Sequence, residues 1–578
     1  MVALHEPIAD TVRRELSEYD DLTAALLFRR GITTREAAAT FFAPSYEEHV
    51  SDPFLILDMK KAAQRIADAV GNGERITVWS DYDCDGIPGG VLFHDFLKKV
   101  GANFDNYIPH RHEEGFGVNI LGVEKLARAG TTLLITIDCG ITDVEAITRA
   151  NELGMQVILT DHHLPGETVP PAFALIDPKA RTEETSEFKE WCGAALAWKL
   201  ACATLAEGRL RNAPWVSDIQ EGWEKWLLDM AGLATIADMV PLVGENRVIA
   251  KYGLLVMRKS PRLGLQALCR NARVTQRFIS EEDVGFMLAP RINAASRMGT
   301  PRDAFELFTT TDESRANELA KELEKANRSR RAQAAAITRA AHERLEERKL
   351  LGALPPVLAF GDPDWRPGLL GLVANSLAEE YERPVFLWGR EGGMTLKGSC
   401  RAGVPHISVG ELMEKAGDIF DGFGGHRASG GFSVKETCVH TLEDALVRAY
   451  ESLPKFEGDI LSARADGELK TTDTTNELLN RLSRLAPFGM GNEKPVFALR
   501  DVRLTRVSWF GKAEEHLKLG ITTDGFDSIE GIAFYAKREL GSGAKNLSEG
   551  KRVSVLASLE RDQFTKGRPV RLRLVAVS

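Results

Sequence analysis

Three short apolar stretches in this chain each run directly into carboxylates. Residues 75–80 (RITVWS) lead into Asp81-Tyr82-Asp83-Cys84-Asp85-Gly86, residues 132–137 (TLLITI) into Asp138-Cys139-Gly140, and residues 156–160 (QVILT) into Asp161-His162-His163. Taken singly, an acidic residue after a strand usually caps the next helix. Taken together, the three segments would crowd several carboxylates and two imidazoles into one place, and repulsion would raise their pKa values. A pair of divalent cations is the natural compensation. Carboxylate oxygens with one or two imidazoles suit Mn²⁺ or Mg²⁺, and paired sites of this kind hydrolyse phosphodiesters.

The elements that must position these groups are legible around them. The three apolar stretches are β-branched and continuously hydrophobic, the pattern of parallel strands buried on both faces. Helical patterns alternate with them at 90–100 and 142–154. The result is an α/β fold with right-handed crossovers, whose strand carboxyl ends share one edge where ligands bind. Residues 1–70 read as helical, with a Thr cap before the run REAAATFF, and 181–290 as mostly helical. A long helix without Gly or Pro lies within 302–350, and 10 Lys+Arg stand against 6 Glu over 315–349. A second α/β unit begins at residue 355, and five short alternating stretches after residue 495 predict a small β-barrel.

The motifs together resemble the DHH phosphoesterase superfamily, and within it the RecJ single-strand-specific exonucleases. The carrying residues are D-Y-D-C-D-G, I-D-C-G and T-D-H-H, then Pro109–Gly117 with Arg111, Gly232–Leu242 with Asp238, and Arg291-Ile-Asn293-Ala-Ala-Ser-Arg297-Met. Lys397-Gly-Ser399-Cys-Arg401, Gly424-Gly-His426-Arg-Ala-Ser-Gly430 and Pro487-Phe-Gly-Met-Gly-Asn492 follow in the family's order. The resemblance implies a parallel-sheet DHH domain (71–300) after an N-terminal helical segment (1–70). It implies a connecting helix (301–350), a smaller α/β DHHA1 domain (351–455) and a C-terminal OB-like β-barrel that binds nucleic acid (456–578).

It also implies roles. Asp83, Asp85, Asp138, His162 and Asp238 would ligate two ions, Mn²⁺ or Mg²⁺, with Asp81 completing the set or just outside it. His163 would meet the scissile phosphate or act near the leaving group, and Asp161 would orient. The catalytic set is then His163, Asp161 and Asp138. Arg111, Arg291, Asn293, Arg297, Ser399, Arg401 and His426 would hold DNA and its terminal phosphate. The implied activity is 5′→3′ hydrolysis of single-stranded DNA to 5′ mononucleotides in recombination and repair. The implied protein is a monomer, with a single-strand-binding protein and a helicase as candidate partners. The chain departs from the family at Ile87-Pro88-Gly89-Gly90, at Ser80 and Ser296 where Gly is common, at Phe116 for a usual Tyr and at Ala402 for a usual Ser. Related phosphoesterases acting on oligoribonucleotides, cyclic dinucleotides or pyrophosphate stand as alternatives; residues 456–578 discriminate against them. A binding protein without activity is a further alternative, and the intact ligand set argues against it.

Composition sets bounds. The 578 residues are too many for one domain, and 44% hydrophobic and 27% charged residues are ordinary for a soluble protein. Seven cysteines, none in a Cys-x-x-Cys pair, predict a reducing cytosol without a disulfide framework. No segment reads as a secretory signal or a membrane span. The net charge of −10 argues at first against a nucleic-acid binder. The sign is segregated, however: residues 487–578 carry 16 Lys+Arg against 11 Asp+Glu.

Overall fold

A computed structural model describes residues 4–390, 395–425, 427–454, 464–511, 514–523, 528–544, 546–562, 565, 567 and 569–578. The chain divides into two compact units. One comprises Glu6–Asn327 with Asn476–Pro495, the other Met1–His5 with Arg328–Thr475 and Val496–Ser578.

The first unit is built on a five-stranded parallel sheet, β1 (Arg75–Ser80), β2 (Asn103–Tyr107), β3 (Leu133–Ile137), β4 (Gln156–Thr160) and β5 (Ala174–Ile176), in the order β2-β1-β3-β4-β5. Continuous hydrophobicity serves two cores. Ile76, Val78, Leu133, Ile135, Ile137 and Ile158 point into one, with the helices Met59–Asn72, Gly86–Lys99 and Gly193–Leu210. Trp79, Leu134, Val157 and Leu159 point into the other, with the helices Ile120–Arg128 and Val144–Glu152. The two strands without a clear signal in the sequence, β2 and β5, are the sheet's edges. β2 is half exposed along its length and β5 has only three residues.

The unit's N-terminal part is helical, and Thr34 caps the helix Arg35–Phe42 by accepting from the Ala37 N–H at 3.2 Å. Between the helix Gly193–Leu210 and the helix Gly244–Met257 lies a buried ion pair, Lys199 Nζ to Glu245 Oε1 at 2.6 Å. Lys199 also donates to the Ser51 carbonyl and hydroxyl at 3.0 Å. A buried charge stripped of its partner is costly. Lys199→Ala should therefore lower stability by about 3–5 kcal/mol in urea unfolding. The double variant Lys199→Met, Glu245→Leu should recover most of that loss.

The predicted long helix runs from Glu313 to Leu351, starting after Asp312, whose carboxylate accepts from the Ser314 N–H at 2.7 Å. Residues Pro301–Thr309 instead form a separate helix, with Ala304, Phe305, Leu307 and Phe308 in the first core. In the second unit, β6 (Leu358–Gly361), β7 (Val385–Gly389), β8 (Leu396–Arg401), β9 (Phe420–Gly425) and β10 (Ser429–Val434) form a mixed sheet ordered β6-β7-β8-β10-β9. After the short β11 (Gly467–Glu468), five strands follow: β12 (Phe497–Phe510), β13 (His516–Thr522), β14 (Ile529–Ala533), β15 (Arg552–Arg561) and β16 (Val570–Val577). Their order β12-β13-β14-β16-β15 closes by a further β12–β15 pairing, which makes the expected barrel. All seven cysteines are free.

Candidate metal and phosphoryl-transfer site

Each of the three sequence-marked Asp residues extends its strand by one rung. The Asp81 N–H donates to the Ile137 carbonyl at 3.1 Å, the Asp138 N–H to the Thr160 carbonyl at 3.0 Å and the Asp161 N–H to the Ile176 carbonyl at 3.1 Å. The parallel ladder thus staggers three carboxylates along one sheet edge with main-chain precision. Asp138 then takes the left-handed conformation, φ 63°, a region that Asp tolerates better than most residues.

Asp83 and Asp85 are fixed by helix beginnings. Asp83 Oδ1 accepts from the Asp85 N–H at 2.8 Å and the Gly86 N–H at 3.2 Å, in the turn that enters the helix Gly86–Lys99. Asp85 reaches across to the helix Gly193–Leu210, whose first two N–H groups, Gly193 and Ala194, bind its oxygens at 2.6 and 2.8 Å. Within the departure at 87–90, Gly90 has a physical reason. A Cβ at position 90 would lie 2.6 Å from Ser80 Oγ, so Ser80 fills the volume that Gly90 vacates.

His162 gathers the rest. Its Nε2 lies 3.1 Å from Asp138 Oδ1, 3.6 Å from Asp85 Oδ2 and 3.8 Å from Asp238 Oδ2. Asp238, remote in sequence, arrives at the end of the helix Leu228–Ala237. The following loop is held by the Pro487–Asn492 segment, where the Leu242 N–H donates to the Met490 carbonyl at 2.7 Å. Three sets of side chains each bring their ligand atoms within 4.8 Å of one another: Asp81, Asp83 and Asp138; Asp85, His162 and Asp238; Asp138, His162 and His163.

The electrostatics favour a positive counter-charge at the cluster. Burial, with neighbouring carboxylates, pushes Asp81, Asp138 and Asp238 well above the usual carboxylate range and Asp85 up to about 6. Asp81 Oδ1 is buried and meets no hydrogen-bond donor among the described residues. Hard oxygen donors with one or two imidazoles are the chemistry that Mn²⁺ and Mg²⁺ accept, so the residues present fit such ions. Burial also pushes up the thiols of Cys84, Cys139 and Cys192 beside the cluster, which keeps them as neutral packing.

Asp161 behaves differently. Its Oδ1 accepts from His163 Nδ1 at 2.7 Å and from the His162 N–H at 2.8 Å, and its Oδ2 from the Ile141 N–H at 3.0 Å. Burial acts to raise its pKa, but these hydrogen bonds and both imidazoles outweigh it and hold it low. Burial would lower His163, yet the bond to Asp161 and the charges of Asp161, Asp238 and Asp85 hold it up at about 9. In the metal-free protein, Asp161→Asn should therefore drop the His163 titration by at least about one unit, read by NMR. An unmoved titration would remove the orienting role from Asp161.

The remaining predicted residues fall in several places. The Arg111 guanidinium lies over the Tyr82 ring at 4.9 Å from its centroid. Arg291, Asn293 and Arg297 share the helix Ala289–Met298. Asn293 Oδ1 accepts from the Cys84 N–H at 2.9 Å, so it holds the Asp83–Asp85 turn, and Arg291 pairs with Glu324 at 2.7 Å. Ser399 and Arg401 lie on β8 in the second unit, both facing Gly371. His426 lies outside the described residues. Sequence reasoning missed Asp177, which follows β5 as the other Asp residues follow their strands; burial pushes its pKa up to about 7. The only signal was Ala174-Leu-Ile176, too short a run to read as a strand.

Comparison with known proteins agrees along the chain. Residues 75–234 match the DHH family N-terminal domain, 354–453 the DHHA1 domain and 465–576 the RecJ OB domain. The chain is 33% identical over 555 residues to the single-stranded-DNA-specific exonuclease RecJ of Bacillus subtilis (strain 168), covering 96% of this chain and 67% of that one. It is 31% identical over 544 residues to that of Escherichia coli (strain K12), covering 90% and 91%. Its fold is similar to that of RecJ from Thermus thermophilus in complex with Mn²⁺, with a TM-score of 0.79 at 26% identity, covering 100% of this chain and 78% of that one. A structure of exonuclease RecJ bound to manganese is 32% identical with a TM-score of 0.58, over 69% of this chain and 96% of that one. With about a third of its residues identical over nearly its whole length, and three domains in the same order, the chain belongs to the RecJ family of single-stranded-DNA-specific exonucleases.

Proposed function

We propose that the chain degrades single-stranded DNA from its 5′ end, releasing 5′ mononucleotides in DNA recombination and repair, and that it does so with two divalent cations, Mn²⁺ or Mg²⁺. The observation that carries the metal-dependent hydrolysis is the strand-end cluster, in which six buried or half-buried carboxylates and two imidazoles converge and four of the carboxylates are driven toward neutrality; the polarity rests on the family resemblance.

Asp83, Asp85, Asp138, His162 and Asp238 would hold the ions, with Asp81 closing the set. Such ions supply a hydroxide nucleophile at neutral pH and charge stabilisation for the phosphoryl oxygens. The chain's own groups do the rest. The N–H groups of Gly193 and Ala194 fix the direction of Asp85. The bond between His163 Nδ1 and Asp161 orients the ring, which leaves Nε2 as the atom to give a proton to the leaving oxygen.

Recognition of the strand end falls to the arginines and hydroxyls that the family shares. Arg401 supports this role: burial lowers its pKa, its guanidinium donates to the Cys400 carbonyl at 2.7 Å, and no carboxylate among the described residues acts on its charge. A desolvated guanidinium without a counter-ion suits a phosphate. Arg111, Asn293 and Arg297 would follow the strand, with Arg291 bracing the helix Ala289–Met298 through Glu324. The same reading puts the chain in the cytoplasm as a monomer, on strands that a helicase and a single-strand-binding protein expose.

The test uses single-stranded DNA and RNA labelled at the 5′ or the 3′ end, with Mn²⁺ and with or without chelator. Immediate release of a labelled mononucleotide only from 5′-labelled DNA, abolished by chelator, is expected. Release from the 3′ end, preference for RNA, or activity in chelator would overturn the reading.

A further inference from the structure

We infer that Phe116 is a stacking platform for the nucleobase of the nucleotide whose phosphodiester lies over the metal cluster. The inference deepens the nuclease reading above and rests on it.

Phe116 lies in the loop between β2 and the helix Ile120–Arg128, and this loop is tied down at both ends. The Tyr107 hydroxyl bonds to the Glu114 carboxylate, which also accepts from the His110 N–H at 2.7 Å. The Val118 N–H donates to Asp143 Oδ2 at 2.6 Å. Phe116 is flanked by Gly115 and Gly117, at φ 87° and 81°. A side chain at Gly117 would collide with the Asp143 carboxylate. Such a backbone is open to glycine and strained for other residues.

The side chain that this loop presents is an aromatic ring with 51% of its surface open to water. A lone exposed apolar residue needs no explanation. Phe116, however, stands beside the reaction centre: its ring lies edge-on to His163 at 5.7 Å between centroids and to Tyr82 at 6.4 Å. His163 is the group set to meet the leaving oxygen, so a base attached to the same nucleotide comes within reach of the Phe116 ring. The Arg111 guanidinium over Tyr82 adds a cation on the same wall. Every base has a π-face, so stacking on an aromatic side chain holds a nucleotide without reading its sequence. An enzyme that shortens any strand needs that property.

The experiment is single-turnover cleavage of intact strands and of strands with a tetrahydrofuran abasic residue at the terminal nucleotide. The wild type should cleave the abasic strand roughly tenfold to a hundredfold more slowly. Phe116→Ala should be slowed to a similar degree on the intact strand and be slowed no further by the abasic residue. Phe116→Trp should restore both the rate and the sensitivity. Phe116→Leu keeps apolar bulk without a π-face and should behave as the alanine variant does, which serves if alanine fails to fold. Phe116→Ala or Phe116→Leu with the wild type's sensitivity to the abasic residue would overturn the inference alone. A wild type that cleaves neither strand would overturn the nuclease reading, and this inference with it.

Discussion

Asp138→Asn should lower hydrolysis by roughly 10³-fold or more, the scale on which loss of one member of a catalytic constellation is felt. It should leave single-strand binding in place and raise the thermal stability of the metal-free protein. Asparagine is the right replacement because Asp138 sits at φ 63°, where Asn is tolerated and Ala would add strain of its own. Asp138 belongs to two of the three ligand sets, with Oδ1 3.1 Å from His162 Nε2. Burial and the charges of Asp85, Asp83, Asp81 and Asp238 all disfavour its ionised form. A neutral amide relieves that repulsion and removes a ligand at the same time. The wild type should therefore show a large rise in Tm on adding Mn²⁺, by linkage about 2.7 kcal/mol at a hundred times Kd, and the variant a higher starting Tm with a smaller rise.

pH provides a second check on the same electrostatics. Asp85, raised to about 6 by burial and by Asp83, favours the folded state while protonated. That contribution is complete below the unfolded value of about 3.9 and is lost as pH rises through 6. The Tm gain from Mn²⁺ should thus be larger at pH 7.5 than at pH 5.5. Retained activity in Asp138→Asn would remove Asp138 from the site, and a lower metal-free Tm would refute the charge argument.

Much of this site was legible because a parallel sheet turns sequence into geometry. A buried strand announces itself by consecutive β-branched residues, and the next residue must lie at the ligand-binding edge. That logic placed Asp81, Asp138 and Asp161 without reference to any relative. It failed where the strand signal fades: β2 alternates polar residues on a half-exposed edge, and β5 is three residues long, so Asp177 was missed. It also could not place Asp238, which arrives at a helix end and is marked by no local pattern; the family resemblance singled it out. The cradle of Asp85, two N–H groups from a helix beginning more than a hundred residues later, has no local signature either. Net charge misled for a related reason. It averages over the chain, whereas a site of buried carboxylates holds its negative charge in one small volume and sheds part of it by protonation or by binding cations.

The Asp85 cradle predicts a second large loss, at a residue with no side chain. Gly193 opens the helix Gly193–Leu210 against the sheet edge, and a Cβ there would lie 2.5 Å from Asp138 Cβ and 2.9 Å from its Cα. Asp138 cannot yield, because its N–H is bonded to the Thr160 carbonyl at the end of β4. The helix must therefore shift, and with it go the Gly193 and Ala194 N–H groups that orient Asp85. A displacement of about 1 Å at a catalytic group costs about 10²-fold in rate, so Gly193→Ala should lose at least that much activity and bind Mn²⁺ more weakly. It should also lose about 1–3 kcal/mol of stability, as overpacked cores do. The sign separates the two variants: Asp138→Asn gains metal-free stability, and Gly193→Ala loses it. Gly71→Ala is the control. It lies in the helix Met59–Asn72 with no neighbour within 4 Å of its would-be Cβ, and should gain up to about 1 kcal/mol with activity unchanged. Activity within twofold of wild type in Gly193→Ala would mean that the helix start does not position the carboxylates, and the metal site would then depend on the strand ladder alone.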